Sequence, residues 1–203
     1  MTGPLPRSVF LDANVLVATA VLDVFLSLAE EGAVEVMWSQ AVVDEAVRAI
    51  GRKRPAAVAA AQRRFATAGA FFDSAVVEGW EHRMGGIALP DPDDRHVVAA
   101  ALEGGCEAVV TFNLRDFPQR ELRPLGLTAI DPDDYLCKLA RLEPDAVKNA
   151  MELVVATKRN PPRTVDEEKR LLARCGLRAF AESLWPARRE QGRISPSAGV
   201  RRR

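Results

Sequence analysis

Short apolar runs alternate with longer segments of helical periodicity over the first 131 residues. An apolar run bounded by turn residues predicts a buried strand, whereas apolar positions spaced three and four apart predict an amphipathic helix. Strands are predicted over residues 9–11, 34–38, 75–77, 108–111 and 127–130. Because strands that alternate with helices are typical of α/β folds, we predict an α/β domain with a mainly parallel sheet.

Helices are predicted between these strands. The first covers residues 21–31, the second follows Ser39 as its N-cap, and the third covers residues 56–68. A fourth begins at Asp91, where an N-cap aspartate, a proline at the first helical position and acids in the first turn are typical of a helix start. After Asp12 we expect a turn.

The strand pattern ends after residue 130, where Asp131-Pro132 follows the last predicted strand. Beyond this point the apolar spacing predicts helices over residues 144–157, 165–174 and 177–184. We therefore expect three parts, which are an α/β domain over residues 1–131, a helical extension over residues 132–185, and a basic, flexible tail over residues 186–203.

Composition narrows the class of protein. With 203 residues, of which 48% are hydrophobic and 28% charged, the chain has an ordinary globular composition and is long enough to bury a core. No apolar run approaches the roughly 20 residues that span a bilayer, and Met1–Arg7 lacks the apolar segment of a secretory signal. The three cysteines form no Cys-x-x-Cys pair, which argues against a zinc site. We expect a cytoplasmic protein with no membrane association.

Four acidic residues stand where a parallel sheet places functional groups. Asp12 follows the first strand and Asp116 lies in the loop after the fourth, while Glu45 lies on the helix after the second strand and Asp94 at the start of the helix before the fourth. Ligands bind at the carboxyl ends of such strands, where the strand order reverses. If the first and fourth strands are neighbours, the four carboxylates converge. Carboxylate ligands suit Mg²⁺ or Mn²⁺ rather than zinc.

Several of these polar residues also have local structural interpretations. The acids at 91–94 could serve only as a helix cap, and Asp12 with Asn14 could form an Asx-type turn. His82 and His96 have no partner motif, and we expect surface or capping roles for both.

The choice between Asp44 and Glu45 is not decided by helical periodicity, because both flank the apolar stripe of their helix. Asp44 can pair with Arg48 four residues later, whereas Glu45 shares its side of the helix with small residues that leave room. This favours Glu45 as the functional acid.

Four motifs of the chain resemble those of PIN-domain ribonucleases and occur in the same order. They are Leu11-Asp12-Ala13-Asn14-Val15-Leu16, Trp38-Ser39-x-x-Val42-x-x-Glu45, residues 89–97 and residues 110–117. The combination is most similar to the VapC-type toxins of bacterial toxin–antitoxin pairs and covers residues 8–131. Residues 132–203 resemble the helical extension of a subset of longer VapC-like proteins.

The resemblance implies a three-layer α/β/α sandwich with strand order 3-2-1-4-5, here followed by C-terminal helices. It also implies a Mg²⁺-dependent endoribonuclease toxin of a type II toxin–antitoxin pair, which hydrolyses RNA phosphodiester bonds by a Mg²⁺-bound water, with Mn²⁺ able to substitute. The implied partners are an RNA substrate, a small cognate antitoxin and, as a homodimer, a second copy of the chain.

By position, the catalytic acids of the family fall on Asp12, Glu45, Asp94 and Asp116. The implied metal ligands are Asp12, Asp94 and Asp116, and the implied supporting polar groups are Asn14, Thr111 and Asn113. Asn113 departs from the family pattern, because many members carry an acid two residues after this threonine.

Two alternative functions remain open at this point. A Mg²⁺-dependent phosphatase of the dehalogenase type would need a second Asp two residues after its nucleophile, where Asn14 stands. It would also need a lysine near the later acids, and none lies between Lys53 and Lys138. A catalytically silent PIN-like RNA-binding module would need a missing acid, whereas all four are present. The endoribonuclease is therefore favoured.

The formal net charge of zero conceals a split between the two parts of the chain. Residues 1–156 carry 15 Lys and Arg against 23 Asp and Glu, a net of −8, whereas residues 157–203 carry 13 against 5, a net of +8. We expect the basic part to contact RNA phosphates through Arg170, Arg174, Arg178, Arg188 and Arg189. The first three recur every four residues and would share one face if their helix continued across Cys175-Gly176. Alternatively, the basic end only neutralises the acidic body or docks an acidic stretch of an antitoxin.

Overall fold

The computed structural model describes residues 4–72, 74–157 and 164–184. These residues contain one sheet of five parallel strands in the order β3-β2-β1-β4-β5. The strands are β1 (Ser8–Leu11), β2 (Glu35–Ser39), β3 (Val76–Val77), β4 (Ala108–Val110) and β5 (Thr128–Ile130). All five predicted strands are present, in the order that the resemblance implies. No helix in the described ranges is long and apolar enough to cross a bilayer.

Ten α-helices accompany the sheet in the part of the chain that the structure describes. They are α1 (Ala13–Val17), α2 (Thr19–Glu30), α3 (Gln40–Lys53), α4 (Val58–Phe71), α5 (Arg95–Glu103), α6 (Gln119–Leu122), α7 (Pro132–Leu142), α8 (Pro144–Thr157), α9 (Val165–Arg174) and α10 (Arg178–Leu184). Short segments of 3₁₀ helix occur at Pro55–Ala57, Trp80–Met84, Pro92–Asp94 and Arg123–Leu125.

β1 lies at the centre of the sheet because it pairs with β2 on one side and with β4 on the other. Phe10 lies opposite Met37 of β2 and Val109 of β4. Val9, Phe10 and Leu11 are fully buried, as expected for a central parallel strand whose two faces are covered by helices. The molecule is an α/β/α sandwich with additional C-terminal helices, which confirms the predicted fold class.

Side-chain caps begin two helices where the sequence predicts them. The Ser39 hydroxyl accepts a hydrogen bond from the Val42 amide at 3.4 Å and caps α3. The Asp91 carboxylate accepts one from the Asp93 amide at 2.9 Å and begins the turn Pro92–Asp94 that leads into α5. Because α3 follows β2 and α5 runs back toward the start of β4, both helices begin at the carboxyl edge of the sheet.

The C-terminal helices pack directly on the α/β domain. Tyr135 of α7 is fully buried, and its hydroxyl donates a hydrogen bond to the Pro6 carbonyl at 2.8 Å. Its ring lies 5.8 Å from that of Phe25 in α2. The Asp133 carboxylate of α7 accepts hydrogen bonds from the amides at the start of α10, at 2.9 Å from Ala179 and 2.7 Å from Phe180. The extension therefore shares the apolar core of the domain.

Three helices differ from the sequence-based expectation, and one of them is the four-residue α6, for which no helix was predicted. After Asp12 we predicted a turn, but the chain enters α1 with Asp12 as the N-cap. No helix was predicted directly after Asp131-Pro132, yet α7 begins there, capped by the Asp131 side chain, which accepts a hydrogen bond from the Asp133 amide at 2.8 Å.

The expectation that Arg170, Arg174 and Arg178 share one helix face is wrong, because it required one continuous helix. α9 ends at Arg174, the backbone at Gly176 has φ of +102°, and α10 begins at Arg178, so the helix is not continuous. The three arginines are exposed, but they lie on two helices. The predicted tail over residues 186–203, with Arg188 and Arg189, lies outside the described residues.

Candidate active site

The candidate site lies at the carboxyl edge of the sheet, between β1 and β4. The Asp12 amide, one residue beyond β1, donates a hydrogen bond to the Val110 carbonyl at 3.1 Å, and the Thr111 amide donates one to the Ile130 carbonyl at 3.1 Å. The ladder therefore continues past the last strand residues. It fixes the backbone of Asp12 and Thr111 side by side, as expected where the strand order reverses.

The Asp12 carboxylate is held by three hydrogen bonds. Its Oδ1 accepts from the Ala13 amide at 2.6 Å, and its Oδ2 accepts from Asn14 Nδ2 at 2.5 Å and from Thr111 Oγ1 at 2.7 Å. Asp12 is only 6% exposed. Burial raises the pKa of Asp12, and the hydrogen bonds from Thr111 and Ala13 oppose that rise.

The supporting residues named from the sequence form one network with Asp12. Asn14 Nδ2 also donates to Thr111 Oγ1 at 2.9 Å, and Asn14 Oδ1 accepts from the Phe112 amide at 3.1 Å. Thr111 Oγ1 accepts in turn from the Asn113 amide at 2.9 Å. The hydroxyl thus donates one hydrogen bond and accepts two, which is its full capacity. The loop after β4 is therefore tied to α1 through side chains around Asp12.

Asp116 is connected to this network by Asn113, whose side-chain amide donates a hydrogen bond to the Asp116 carboxylate. Asn113 is the position at which many members of the resembled family carry an acid. An amide there holds the neighbouring carboxylate in place and adds no charge of its own.

The other three predicted acids act electrostatically on Asp94. Burial and, after it, the charges of neighbouring carboxylates raise the pKa of the half-buried Asp94 to about 7. Four neighbouring carboxylates contribute further to that rise, in decreasing order Asp12, Asp116, Asp91 and Glu45. The structure therefore places Asp12, Glu45 and Asp116, which the sequence puts on other elements, near enough to Asp94 for their charges to raise its pKa.

A cavity of about 600 Å³ opens beside these acids. It is lined by Ala41, Asp44, Glu45, Arg48, Asp91, Asp93, Asp94 and His96. Its walls are the N-terminal half of α3, the turn Pro92–Asp94 and the start of α5, and most of the lining side chains are charged. A strongly acidic cavity of this kind suits a cation or a polar ligand that arrives with one.

Sequence reasoning missed the position of His96, for which we expected a surface or capping role. Its Nδ1 lies 2.6 Å from the Asp93 carbonyl oxygen and its Nε2 lies 3.8 Å from Glu45 Oε2. Its ring centroid is 6.0 Å from that of Trp80. His96 follows Asp94 by two residues at the helix start, and that proximity in sequence is the signal that could have placed it in the cavity.

Comparison with known proteins assigns the family. Residues 8–115, more than half of the chain, match the sequence model of the PIN domain. The chain belongs to the PIN domain family. Residues 132–185 match a second model, described as the VapC50 C-terminal domain. The resemblance drawn from four short motifs, with a helical extension behind them, is therefore confirmed.

One curated relative is informative about this PIN-domain chain. A protein of Mycobacterium tuberculosis (strain ATCC 25618 / H37Rv), named "Putative ribonuclease VapC50", is 39% identical over 71 residues. The aligned region is 35% of this chain and 42% of that protein, so the similarity spans less than half of either. No solved structure matches the chain.

The choice between Asp44 and Glu45 agrees with the geometry of this PIN domain. Asp44 is exposed, and Oδ1 of its carboxylate accepts from Gln40 Nε2 at 2.8 Å, rather than pairing with Arg48 as the sequence suggested. Glu45 is half-buried, faces His96, and contributes to the raised pKa of Asp12. Glu45 is thus the acid of α3 that belongs to the group around Asp12.

The donor set of this PIN domain fits a hard divalent cation. The acidic side chains of the group offer carboxylate oxygens, which Mg²⁺ and Mn²⁺ prefer, and burial together with their mutual repulsion raises the pKa of Asp94. A bound cation would relieve that repulsion. Among the described residues, no three His, Cys, Asp or Glu side chains are already arranged around a common metal position. Metal binding would therefore require side-chain movement within the acidic group.

Proposed function

We propose that this PIN-domain protein is a metal-dependent endoribonuclease that acts as the toxin of a type II toxin–antitoxin pair. The observation that carries the proposal is the group of carboxylates at the carboxyl edge of the sheet, built around a buried Asp12 with three hydrogen bonds. Family membership and the ribonuclease name of the relative support RNA as the substrate class.

We assign metal binding to Asp12, Asp94 and Asp116, and we include Glu45 in the catalytic group. Mg²⁺ is the proposed cofactor, and Mn²⁺ is expected to substitute because it accepts the same oxygen ligands. When bound, the cation supplies a water nucleophile of lowered pKa and offsets negative charge on the scissile phosphate.

The other polar side chains of the site have positioning roles in this proposal. Asn14 and Thr111 orient the Asp12 carboxylate, and Asn113 orients that of Asp116. Mutation of residues that orient a metal ligand typically costs about 10- to 100-fold in metal affinity or activity. Glu45 and His96 lie next to each other in the lining of the cavity, with Glu45 Oε2 3.8 Å from His96 Nε2.

We further propose a small antitoxin and a second copy of the chain as protein partners, and the cytoplasm as the location. The exposed arginines of α9 and α10, Arg170, Arg174 and Arg178, remain candidates for contact with RNA phosphates. Their separation onto two helices requires an RNA path across the turn at Gly176 rather than along one helix face. The division into a nuclease domain over residues 1–131 and an extension over residues 132–185 also belongs to this proposal.

The direct test is cleavage of RNA by the purified full-length protein with added Mg²⁺, Mn²⁺ or Ca²⁺, or with chelator. We expect cleavage with Mg²⁺ and Mn²⁺, and none with chelator. Ca²⁺ should support little turnover, because its looser coordination positions the reacting groups less strictly. Full activity in chelator would contradict the metal dependence. RNA binding without cleavage under every condition would instead favour the silent RNA-binding module.

The phosphatase alternative is not favoured by the family assignment. A parallel assay with a phosphate monoester separates the two activities, because a phosphatase releases inorganic phosphate from it and an endoribonuclease does not. We expect no phosphate release under conditions in which RNA is cleaved.

A further inference from the structure

The turn between α9 and α10 touches the loop that organises the acidic site. A Cβ atom added at Gly176 would lie 2.7 Å from Cε1 and 3.2 Å from Cζ of Phe112. Phe112 lies between Thr111 and Asn113, both of which belong to the hydrogen-bond network around Asp12. The C-terminal extension therefore reaches the loop after β4 at its aromatic residue.

Phe112 is joined to the site through its backbone. Its amide donates to Asn14 Oδ1 at 3.1 Å, and Asn14 donates in turn to the Asp12 carboxylate. A displacement of the Phe112 ring would move this backbone and alter the orientation of Asn14. The chain of contacts from Gly176 to Asp12 thus has two intermediate residues, Phe112 and Asn14.

Gly176 is held in position by the end of α9. Its amide donates to the Ala173 carbonyl at 3.3 Å, and the following amide, of Leu177, donates to the Leu172 carbonyl at 2.9 Å. This pair of hydrogen bonds is the Schellman motif, which places a residue with positive φ after the helix and favours glycine. Asp133 of α7 fixes the start of α10 from the other side.

We propose that the C-terminal extension positions the catalytic loop, with Gly176 and Phe112 as the positioning residues. The inference rests on the proposed function, since it assigns the loop to the nuclease site. In this view the extension is part of the active-site scaffold. The absence of a side chain at Gly176 then matters for two separate reasons, the positive φ and the contact with Phe112.

The two reasons can be separated by a matched control. Gly32 ends α2 in the same motif, with its amide 3.0 Å from the Ala29 carbonyl oxygen and the Ala33 amide 2.9 Å from that of Leu28. Its φ is +71°, but a Cβ there would meet no atom within 4 Å. Gly32→Ala therefore introduces backbone strain without a steric contact, whereas Gly176→Ala introduces both.

The experiment compares Gly176→Ala, Gly32→Ala and the wild-type full-length protein. One readout is Mn²⁺ affinity, measured from the paramagnetic resonance of the free ion. The other is the kcat and KM of RNA cleavage. For Gly176→Ala we expect about tenfold weaker Mn²⁺ binding, in line with the effect of disturbing residues that orient metal ligands. We expect its kcat to fall by about tenfold or more at unchanged KM. Gly32→Ala should match the wild-type protein in both readouts.

A second substitution tests the contact itself. Phe112→Leu removes the ring atoms that a Cβ at residue 176 would meet. We expect the double variant Phe112→Leu/Gly176→Ala to recover the Mn²⁺ affinity and kcat of Phe112→Leu alone. If Gly176→Ala does not fold, Phe112→Leu alone decides: we expect faster hydrogen exchange of the residue-112 amide, because the extension no longer supports it.

The proposal is overturned if Gly176→Ala has the same Mn²⁺ affinity and kcat as Gly32→Ala, or if the double variant does not recover the values of Phe112→Leu alone. It is also overturned if the residue-112 amide of Phe112→Leu exchanges at the wild-type rate. A wild-type protein that cleaves no RNA would instead refute the proposed function. Mn²⁺ affinity and amide exchange would still decide whether the extension is coupled to the loop.

Discussion

Replacing Asp94 with asparagine is expected to stabilise the metal-free protein at neutral and alkaline pH. The reason is the raised pKa of this carboxyl, about 7 in the folded protein against an ordinary value of 3.8. One pKa unit corresponds to about 1.4 kcal/mol, so the full shift would amount to about 4 kcal/mol. Asp94 is only half-buried, and solvent screening reduces the effect to about 1–2 kcal/mol.

The pH dependence of this effect has a definite sign. Below the ordinary pKa of 3.8, Asp94 is protonated in the folded and the unfolded chain, and its ionisation costs the folded state nothing. As the pH rises through the interval up to about 7, the unfolded chain loses the proton more readily, so folding stability falls. Above that interval the loss is complete. The asparagine variant lacks this loss and should be more stable only at the higher pH.

The assay is urea denaturation in chelator at about pH 4 and about pH 8.5. The matched control is Asp93→Asn, an exposed acid in the same 3₁₀ turn that is not among the charges raising the pKa of Asp94. It removes the same charge from the start of α5, so it corrects for the loss of a favourable acid near a helix N-terminus. Equal free energies of unfolding for wild type and Asp94→Asn at the higher pH would refute the reasoning, as would equal stabilisation at both pH values.

Three further predictions concern metal binding by Asp94, the stability that Asp133 gives to the extension, and RNA binding by the tail. Saturating Mg²⁺ should raise the Tm of the wild-type protein more than that of Asp94→Asn, and equal shifts would remove Asp94 from the metal site. Asp133→Ala should lower the free energy of unfolding by about 1–3 kcal/mol, because two amides at the start of α10 lose their acceptor. In the same denaturation assay, replacing the exposed Asp134 with alanine should have little effect. Deletion from Pro186 onward should weaken RNA binding and flatten its salt dependence, which has a log–log slope of about −0.7 per neutralised phosphate on single strands. An unchanged slope together with weaker antitoxin binding would show that the tail serves the antitoxin instead.

The order of strands and helices could be predicted because apolar periodicity and caps are local signals. The missed helices had different causes. α1 has only five residues and follows β1 without a loop, so the Asx turn expected at Asp12 and the observed N-cap start in the same way. α7 had a signal that went unused, since Asp131-Pro132-Asp133-Asp134 repeats the Asp-Pro-Asp-Asp sequence of residues 91–94.

The acids of the candidate site and the polar residues around Asp12 could be predicted, whereas the position of His96 and the contact with the extension could not. Asp12, Glu45, Asp94 and Asp116 follow from their places relative to strands and from the resemblance. His96 was missed although it follows Asp94 by two residues, because its approach to Glu45 joins α5 to a helix that is distant in sequence. The contact between Phe112 and the turn after α9 joins residues about sixty positions apart and depends on the docking of the extension. Long-range packing of this kind is not encoded in a periodicity.

The most direct test of the central claim is RNA cleavage by Asp12→Asn compared with the wild-type protein and with Asp145→Asn, in which an exposed acid of α8 is neutralised. Asp12→Asn keeps an acceptor for the Ala13 amide, so circular dichroism and Tm should show a folded protein. The account predicts Mg²⁺-dependent cleavage by the wild type and Asp145→Asn, and none by Asp12→Asn. A folded Asp12→Asn protein that cleaves RNA at the wild-type rate would contradict it.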